Sequence, residues 1–459
     1  MLALSYNTIA PSLENDLRYL KWPVAITFLL YPAFALNLQK GANVCFYLLV
    51  LFALVGLACR VKPLDKSFTL ILREHWPVML AMAGTAVAIF LHQLSDGQFS
   101  FKPYDLPSRL ALFALIFWAL LLVPGTAFRQ IQWGLAVGTV IAAIKLYAES
   151  HAGELRPVDS FSTPLVPFGN LALLMGALAL LSIGWNKPGD KISIAGKVIA
   201  GCAGLYASYL SQARGGWVAI PLFIFIAAAL YSHLRTRYKL LTMTLLAALI
   251  LAIGTHSTMV RNRIVAAETD IAGYIEGKNV NTSLGLRWQI WQASWLIFKE
   301  HPVVGIGQDR FPAAIQKLAE QHVMTAEAAI QPHSHNDIMY KMATFGTVGV
   351  LALLSVYFVP AFYFLRRMRD PDQETRTIAS MGLALCLGFF VFGMSDVMFF
   401  WSASNTFYSV TLAGLLAHQI KRKAELEQAV RSDSSDAAQH LHITVASFSF
   451  NPATFRFAA

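Results

Sequence analysis

The chain has 459 residues, of which 56% are hydrophobic and only 14% are charged, and its mean hydropathy is +0.52. Soluble domains carry about 25% charged residues, so this composition excludes an ordinary soluble protein and favours a polytopic membrane protein. The formal net charge is +10, but the positive residues stand in short clusters between apolar runs. Such clusters are typical of membrane topology signals rather than of nucleic-acid binding.

Apolar runs close to the bilayer-crossing length of about 20 residues recur along the chain. The polar start before Trp22 has no signal-peptide core, so we expect the first run to be a retained span. We predict an all-α fold with about twelve spans, forming a transmembrane domain over residues 1–423. The predicted spans are Trp22–Leu38, Val44–Cys59, Trp76–Leu91, Leu110–Pro124, Trp133–Leu146, Leu165–Ile183, Ile194–Leu210, Trp217–Tyr231, Leu240–Ile253, Val348–Leu365, Ile378–Val397 and Tyr408–His418.

Lysine and arginine are concentrated in alternate connections between these spans, and such an excess marks the cytoplasmic side. The rich connections hold Arg60, Lys62, Lys66, Arg73, Arg129, Lys187, Lys191, Arg235, Arg237, Lys239, Arg366, Arg367, Arg369, Arg376, Lys421, Arg422 and Lys423. The poor short connections hold only Lys40, Lys102, Arg156 and Arg214. The alternation predicts an even number of spans with both termini in the cytoplasm.

Residues 254–345 form a long polar segment that this alternation places on the outer side. Leu286–His301 has apolar residues at helical spacing and three tryptophans, which predicts an amphipathic helix at the membrane interface. A second helix is predicted over Arg310–Gln321. The polar residues 424–459 are predicted to be a disordered cytoplasmic tail.

The sequence LSQARGGW places Arg214 before Gly215 and Gly216 at a span end. An arginine there is commonly a snorkelling anchor. The two glycines permit close backbone approach and exposed amides, so the segment also suits a bound phosphate.

Arg287 begins the predicted amphipathic helix. A cation is unfavourable at a helix N-terminus, which implies an anionic partner. That partner is either a lipid headgroup or a substrate phosphate.

His333, His335, Asn336 and Asp337 precede the tenth predicted span in the sequence HSHND. Histidine titrates near neutral pH and can accept a proton, while Asn336 and Asp337 could orient a ring or bind a sugar. A surface histidine pair and a metal site are the alternatives. Asp396 lies near the outer end of the eleventh span, either as a hydrogen-bonded helix-end carboxylate or as a residue that orients a histidine or contacts the acceptor.

Other chemistries lack their motifs. The four cysteines show no C-x-x-C spacing, and no outward connection holds a D-x-D motif, so neither a zinc site nor a metal-held nucleotide sugar is predicted. Walker A and dinucleotide fingerprints are absent from the sequence. We predict neither a cofactor nor a metal.

Three segments in order resemble the O-antigen ligase/polymerase superfamily: LSQARGGW, then LRWQIWQASWLIFKEHPVVGIGQDRF, then HSHNDIMYKMATFGTVGVLALL. They contain the family's arginine before small residues, a second arginine leading to P-x-x-G-x-G, and H-x-H-N before G-x-x-G. The resemblance covers about residues 210–354, and the earlier half matches only in hydropathy. The layout is most similar to lipopolysaccharide O-antigen ligases.

The resemblance implies a GT-C-like, inverting, metal-independent glycosyltransferase in the bacterial inner membrane, with its active site facing the periplasm. It implies undecaprenyl-diphosphate-linked O-antigen as donor and the lipid A core oligosaccharide as acceptor. Carried over by motif, Arg214 and Arg287 bind the diphosphate and His335 is catalytic. The secondary candidates are His333, Asn336, Gly215 and Asp396.

Three other functions remain open on the sequence. An O-antigen polymerase shares the donor and the chemistry. A protein O-oligosaccharyltransferase uses a serine or threonine acceptor. A transporter of lipid-linked sugars would favour broken helices and symmetric halves.

Overall fold

The computed structural model describes residues 10–151, 163–230 and 279–447, together with residues 265, 269, 270 and 273. In these residues the fold is all-α, as predicted. The α-helices are α1 Ala10–Asn37, α2 Gly41–Ala58, α3 Phe68–Glu74, α4 Trp76–Asp96, α5 Asp105–Ala111, α6 Phe113–Leu120, α7 Gly125–Phe128, α8 Ile131–His151, α9 Leu165–Leu181, α10 Lys191–Leu210, α11 Ala219–Leu230, α12 Ser283–Glu300, α13 Phe311–Glu320, α14 Ala326–Ala329, α15 Asp337–Leu365, α16 Gln373–Gly393 and α17 Ser402–Ser447.

Eight helical segments of the described residues are long and apolar enough to cross a membrane. They correspond to predicted spans one, two, three, five, six, seven, ten and eleven. The eighth predicted span corresponds to a shorter apolar helix, Arg214–Leu230. The chain is therefore a multi-pass membrane protein.

The remaining three predicted spans, the fourth, ninth and twelfth, are not among the eight long apolar segments. The fourth is divided between α5 and α6 by Leu112. The ninth, Leu240–Ile253, lies outside the described residues. The twelfth lies within α17, whose first turns are rich in Ser, Thr and Asn and therefore fall short of membrane hydropathy, although residues such as Tyr408 and Leu412 are fully buried among other helices.

Helices α9 and α16 form the centre of the bundle. In each of their apolar segments 78% of the residues are buried, compared with 39% in α2 and 33% in α10. The peripheral helices expose large apolar side chains such as Leu51 and Ile199, as lipid-facing helices do.

Charged residues from three predicted cytoplasmic connections meet at one end of the bundle. Arg129 Nε donates to Glu374 Oε1 at 2.8 Å, and His418 Nε2 lies 3.0 Å from the same oxygen. Arg422 Nη2 donates to Asp372 Oδ1 at 2.8 Å. We call this the basic end of the bundle.

A cavity of about 600 Å³ at the basic end brings further connections together. It is lined by Lys66 from the connection after α2, Arg367 from the connection after α15, and Lys423 from α17. The grouping agrees with the predicted alternation of charge. The side of the membrane on which the basic end lies stays a prediction.

The segment before α15 folds into a small helical unit with its own apolar core. Helix α12 buries Ile290, Ala293 and Ile297 against α13, α14 and the first part of α15, whereas Trp288 and Trp295 are about half exposed. The two predicted helices of this segment are confirmed. The location of α12 at a membrane interface stays a prediction.

Helix α15 is broken at Gly346, where φ is 60° and ψ is −153°. The break separates the first turns of α15, which pack on α12, from the part that follows and packs on α4 and α16.

The predicted tail begins inside α17, whose backbone is helical as far as Ser447. Residues 424–447 therefore differ from the disorder that we expected. The sequence after Lys421 is rich in good helix formers, and Lys423 Nζ lies 3.6 Å from Glu427 Oε1, one turn away. Residues 448–459 lie outside the described residues.

Candidate active site

The two histidines of the H-x-H-N motif differ in accessibility. His333 is buried, with 3% exposure, while the His335 side chain is 28% exposed. The His335 backbone adopts a left-handed conformation with φ of 50°, which is uncommon for a residue other than glycine. The two rings meet edge to face with centroids 4.6 Å apart. Of the two, His335 is the one that a substrate can reach.

Asp396 lies against both rings from the loop that follows α16. Its Oδ1 is 3.4 Å from His335 Nδ1 and 3.9 Å from His333 Nε2, and it accepts a hydrogen bond of 2.8 Å from the Val397 amide. Burial alone would raise the pKa of Asp396, but the hydrogen bond to His335 and the nearby imidazoles hold that pKa below its usual range. Asp396 is therefore a carboxylate at neutral pH and favours a proton on Nδ1 of His335.

The other ring nitrogen of His335 faces Gln331. With the proton on Nδ1, Nε2 carries a lone pair and can act as a base. Gln331 Oε1 lies 3.4 Å from Nε2. With the proton on Nδ1, this contact is a hydrogen bond only when the amide is turned so that its NH2 group donates to Nε2. The side-chain amide of Gln331 therefore lies where a reacting hydroxyl would approach.

His333 supports this arrangement. Its Nδ1 accepts a hydrogen bond of 3.3 Å from the His335 amide, and its ring packs on Phe400 and Trp401. Burial lowers the pKa of His333 to about 4, against the opposing effect of Asp396. His333 is neutral at physiological pH and a weaker base than an ordinary histidine, so His335 is the better candidate for proton acceptance.

Asn336 and Asp337 hold the two ends of the loop that carries Asp396. The Asn336 side chain caps α15 by accepting from the Ile338 amide at 2.9 Å, and its Nδ2 donates to the Met394 carbonyl at 3.2 Å. The Asp337 carboxylate accepts from the Met398 amide at 3.2 Å.

Asp337 is itself held from the far side, because its Oδ2 also accepts from the Tyr357 hydroxyl at 2.8 Å. Two neighbouring residues thus fix the carboxylate of Asp396 relative to the histidines.

The Arg214–Gly216 segment packs against the same loop. It forms a short 3₁₀ helix, Arg214–Val218, after α10. A Cβ added at Gly215 would lie 2.2 Å from Ser395 Oγ, so only glycine permits this approach. Gly215, the neighbour of Arg214 in the chain, therefore packs on the residue that precedes Asp396, at the end of the bundle opposite the basic end.

Arg287 lies in the second turn of α12, which begins at Ser283. Its charge acts on both Asp396 and His333, and burial lowers the pKa of its guanidinium while Asp396 raises it. One turn later, Trp291 Nε1 donates to the Ser334 carbonyl at 2.8 Å. This bond fixes α12 against the histidine segment.

A metal ion is the alternative occupant among the described residues. The ligand atoms of His333, His335 and Asp396 lie within 4.8 Å of one another, so a cation could bridge them. The existing contacts of Asp396 also account for the cluster without an ion. The prediction of no metal therefore stays a prediction.

The structure brings His333, His335, Asn336, Asp396 and Gly215 into one place, with Arg287 coupled to it by charge and Arg214 adjacent in the chain. Sequence reasoning missed the contacts of three other side chains. These are Gln331 at the ring nitrogen, Trp291 as a tie between α12 and the histidines, and Ser395 against the glycine. Trp291 lies inside the second motif segment and Gln331 lies two residues before the third, but nothing in their type or spacing distinguishes them from packing residues.

Comparison with known proteins agrees with the resemblance seen in the sequence. Residues 199–354 match a family model described as O-antigen ligase. The matched region includes Arg214, Arg287 and His335, whereas Asp396 falls outside it.

One curated relative is an uncharacterized protein of Haemophilus influenzae. It is 26% identical over 328 residues, which cover 70% of this chain and 80% of that protein. The likeness therefore extends well beyond the matched family region.

Stability should depend on pH through His333. Because its folded pKa of about 4 lies below the ordinary value of 6.5, the unfolded chain takes up the proton first as pH falls. The protein should therefore lose stability between about pH 6.5 and pH 4, by about 3 kcal/mol from this group. His333→Asn keeps an acceptor for the His335 amide but does not titrate. In thermal unfolding this variant should therefore lose less stability than the wild type between pH 6.5 and pH 4.

His322, an exposed loop histidine, provides the control. His322→Asn should follow the wild-type pH dependence. Parallel curves for wild type and His333→Asn would contradict the assignment.

Proposed function

We propose that this chain, which the family match supports as a member of the O-antigen ligase/polymerase superfamily, is an inverting glycosyltransferase that moves O-antigen polysaccharide from undecaprenyl diphosphate to a sugar of the lipid A core. The observation that carries the proposal is the His335–Asp396 pair, in which the His335 side chain is 28% exposed and the charge of Arg287 acts on the same cluster.

His335 acts as the general base. A hydroxyl of the acceptor sugar loses its proton to Nε2 while its oxygen forms a bond to the anomeric carbon of the donor. Asp396 orients the ring and stabilises the imidazolium that results. A positioned base of this kind typically contributes 10²–10⁴-fold to the rate.

The two arginines stabilise the leaving group. As the anomeric carbon–oxygen bond breaks, its electron pair goes to the diphosphate, which leaves as undecaprenyl diphosphate. Guanidinium groups offer paired donors that match phosphate oxygens. Attack from the side opposite the diphosphate inverts the anomeric centre. Arg287 lies in α12, and Arg214 lies in the 3₁₀ helix that packs on the loop of Asp396, so the proposal has the two arginines contact one diphosphate from different elements.

The location of the site suits two lipid-borne substrates. It lies at the end of the bundle opposite the basic end, which the charge bias assigns to the cytoplasm. On this assignment the site faces the periplasm of the inner membrane and both termini are cytoplasmic. Its position at helix ends lets reactants held in the outer leaflet reach it.

An O-antigen polymerase is the nearest alternative, because it needs the same donor and the same base. Lipopolysaccharide from a deletion strain separates the two. Loss of all O-antigen from lipid A, with polymer retained on the lipid carrier, indicates the ligase, and a core with a single repeat indicates the polymerase. Transfer to a protein serine or threonine would indicate the protein O-oligosaccharyltransferase.

His335→Ala should abolish transfer in a reconstituted assay with lipid-diphosphate-linked donor and lipid A core acceptor, with a loss of at least roughly 10²-fold. Asp396→Asn should lose less than His335→Ala, since the base remains but its orientation and charge stabilisation are impaired. His301→Ala, at an exposed histidine of the same segment, is the control and should retain activity. Full activity of His335→Ala would eliminate the base assignment.

Arg287→Lys and Arg214→Lys should each raise the donor KM and lower turnover, so that kcat/KM falls by roughly tenfold or more in either variant. Lysine keeps the positive charge but lacks the paired N–H donors of the guanidinium. Arg310→Lys is the matched control. Arg310 is half exposed and its guanidinium pairs with Asp96, with Nη1 to Oδ1 at 2.8 Å, so lysine there should leave transfer unchanged. Equal kinetics for all three variants would argue against the diphosphate role.

Transfer should persist in excess EDTA, because the scheme uses arginines rather than a cation to stabilise the diphosphate. The measurement compares initial rates after extended chelation with rates after readdition of Zn²⁺ or Mg²⁺. A rate that collapses under chelation and returns with one metal would instead assign His333, His335 and Asp396 to a metal site.

A further inference from the structure

The break in α15 leaves four backbone groups without their helical partners. In a continuous helix the amides of Thr347 and Val348 donate to the carbonyls of Ala343 and Thr344, four residues earlier. The conformation of Gly346 turns the chain between them. Ala343 and Thr344 are fully buried, and buried backbone groups are costly to leave unpaired, so their carbonyls require other partners.

The loop 302–307, which follows α12, supplies all four partners. The amides of Ile306 and Gly307 donate to the two freed carbonyls at 3.2 and 2.8 Å. The carbonyls of Pro302 and Val303 accept from the two freed amides at 2.8 and 3.2 Å. The loop therefore inserts into the break and replaces the missing hydrogen bonds of the helix.

Glycine is required on both sides of this contact. Gly305 has φ of 64°, and a Cβ there would lie 2.4 Å from the Phe345 amide nitrogen. A Cβ at Gly346 would lie 2.4 Å from the Val303 carbonyl oxygen. Backbone atoms cannot move aside as a flexible side chain can. This contact, which we call the backbone lock, gives the P-x-x-G-x-G and G-x-x-G motifs one shared structural role.

The backbone lock joins the two elements that carry the chemistry. Arg287 lies in α12, which runs directly into loop 302–307, and His335 immediately precedes the part of α15 that lies before the break. The Trp291–Ser334 bond connects the same two elements nearer the site. Two attachments, one near the site and one at the lock, fix the angle of α12 on α15.

We propose that the backbone lock is a positioning element that holds Arg287 at reaction distance from His335. The inference rests on the proposed function for its kinetic consequence. Loosening the lock leaves both groups present but misplaces the base relative to the bound diphosphate. A displacement of about 1 Å can cost 10²-fold in rate, so turnover falls more than donor affinity.

Gly346→Ala opens the lock, and two other glycines provide matched controls. Gly97 and Gly189 have φ of 70° and 90°, but nothing lies within 4 Å of a Cβ added at either. Alanine at these positions takes on a positive φ without a clash. The strain at Gly346 is larger, because its ψ of −153° lies in a region that is essentially restricted to glycine, whereas ψ at Gly97 is 7°. The two controls therefore report the cost of a positive φ alone, and a variant that leaves Gly346 unchanged is needed to separate its strain from loss of the lock.

Thr347→Val is a milder variant in case Gly346→Ala folds poorly. The Thr347 hydroxyl donates to the Pro302 carbonyl at 2.9 Å, and the residue is exposed. Valine removes that bond without adding bulk at the contact. Thr347→Ser restores the donor and should restore the rate.

The kinetic test measures turnover and donor KM of the folded protein in nanodiscs with an undecaprenyl-diphosphate-linked oligosaccharide. Gly346→Ala should lose at least roughly tenfold in kcat while its donor KM stays within about threefold. Thr347→Val should lose a smaller factor, and the two control variants should match wild type. A folded Gly346→Ala with the kcat of Gly97→Ala would overturn the proposal.

Hydrogen exchange tests the lock independently of transfer. In Gly346→Ala the amides of Ile306, Gly307, Thr347 and Val348 should lose protection together, and exchange should rise along α12. Faster exchange confined to residues beside the substitution would overturn the coupling. If the wild-type protein shows no glycosyl transfer, only the proposed function is refuted. The hydrogen-exchange result would still decide whether the lock fixes α12 on α15.

Discussion

A carboxylate with only 4% exposure, that of Asp396, needs partners for its charge, because an unpaired buried charge is strongly unfavourable. Its partners come from separate parts of the chain. His335 approaches from the segment before α15, Arg287 acts from α12, and the Val397 amide lies in its own loop. Satisfying one negative charge therefore brings side chains of three elements into one place, and it also favours one tautomer of His335.

The rigidity of this cluster comes mainly from backbone contacts. Asn336 and Asp337 hold the loop of Asp396 through the Met394 carbonyl and the Met398 amide. The loop 302–307 goes further, because its four hydrogen bonds to the break of α15 join backbone to backbone. Backbone partners do not change rotamer, so the geometry that they fix is less adjustable than one built from side-chain pairs.

Much of the site could be predicted from the sequence, because its reactive groups sit in short motifs. Arg214, Arg287 and His335 each have a local pattern, and hydropathy located most spans. The role of Asp396 could only be left open, since its pairing spans 61 residues from His335 and no local pattern reports a long-range contact. The backbone lock could not be predicted either, because it depends on the conformations of Gly305 and Gly346, which lie 41 residues apart in the sequence.

Hydropathy also underestimated α17. Its first turns carry Ser, Thr and Asn that are buried against protein rather than lipid, and residues such as Ser404 and Thr406 have no exposure. Hydropathy measures affinity for lipid, so a hydropathy criterion fails to detect a spanning helix that is surrounded by other helices. The helical continuation after Lys421 was missed for a different reason, because charge and serine content suggested disorder where local helix propensity was high.

Helix α16 is held at both of its ends. At its start Glu374 binds Arg129 and contacts His418, and just beyond its end Ser395 packs on Gly215. With 78% of its apolar segment buried, α16 is also held by other helices along its length. The peripheral helices α2 and α10 have only 39% and 33% of their apolar segments buried, so a change in the shape of the bundle costs least packing there and leaves α16 in place.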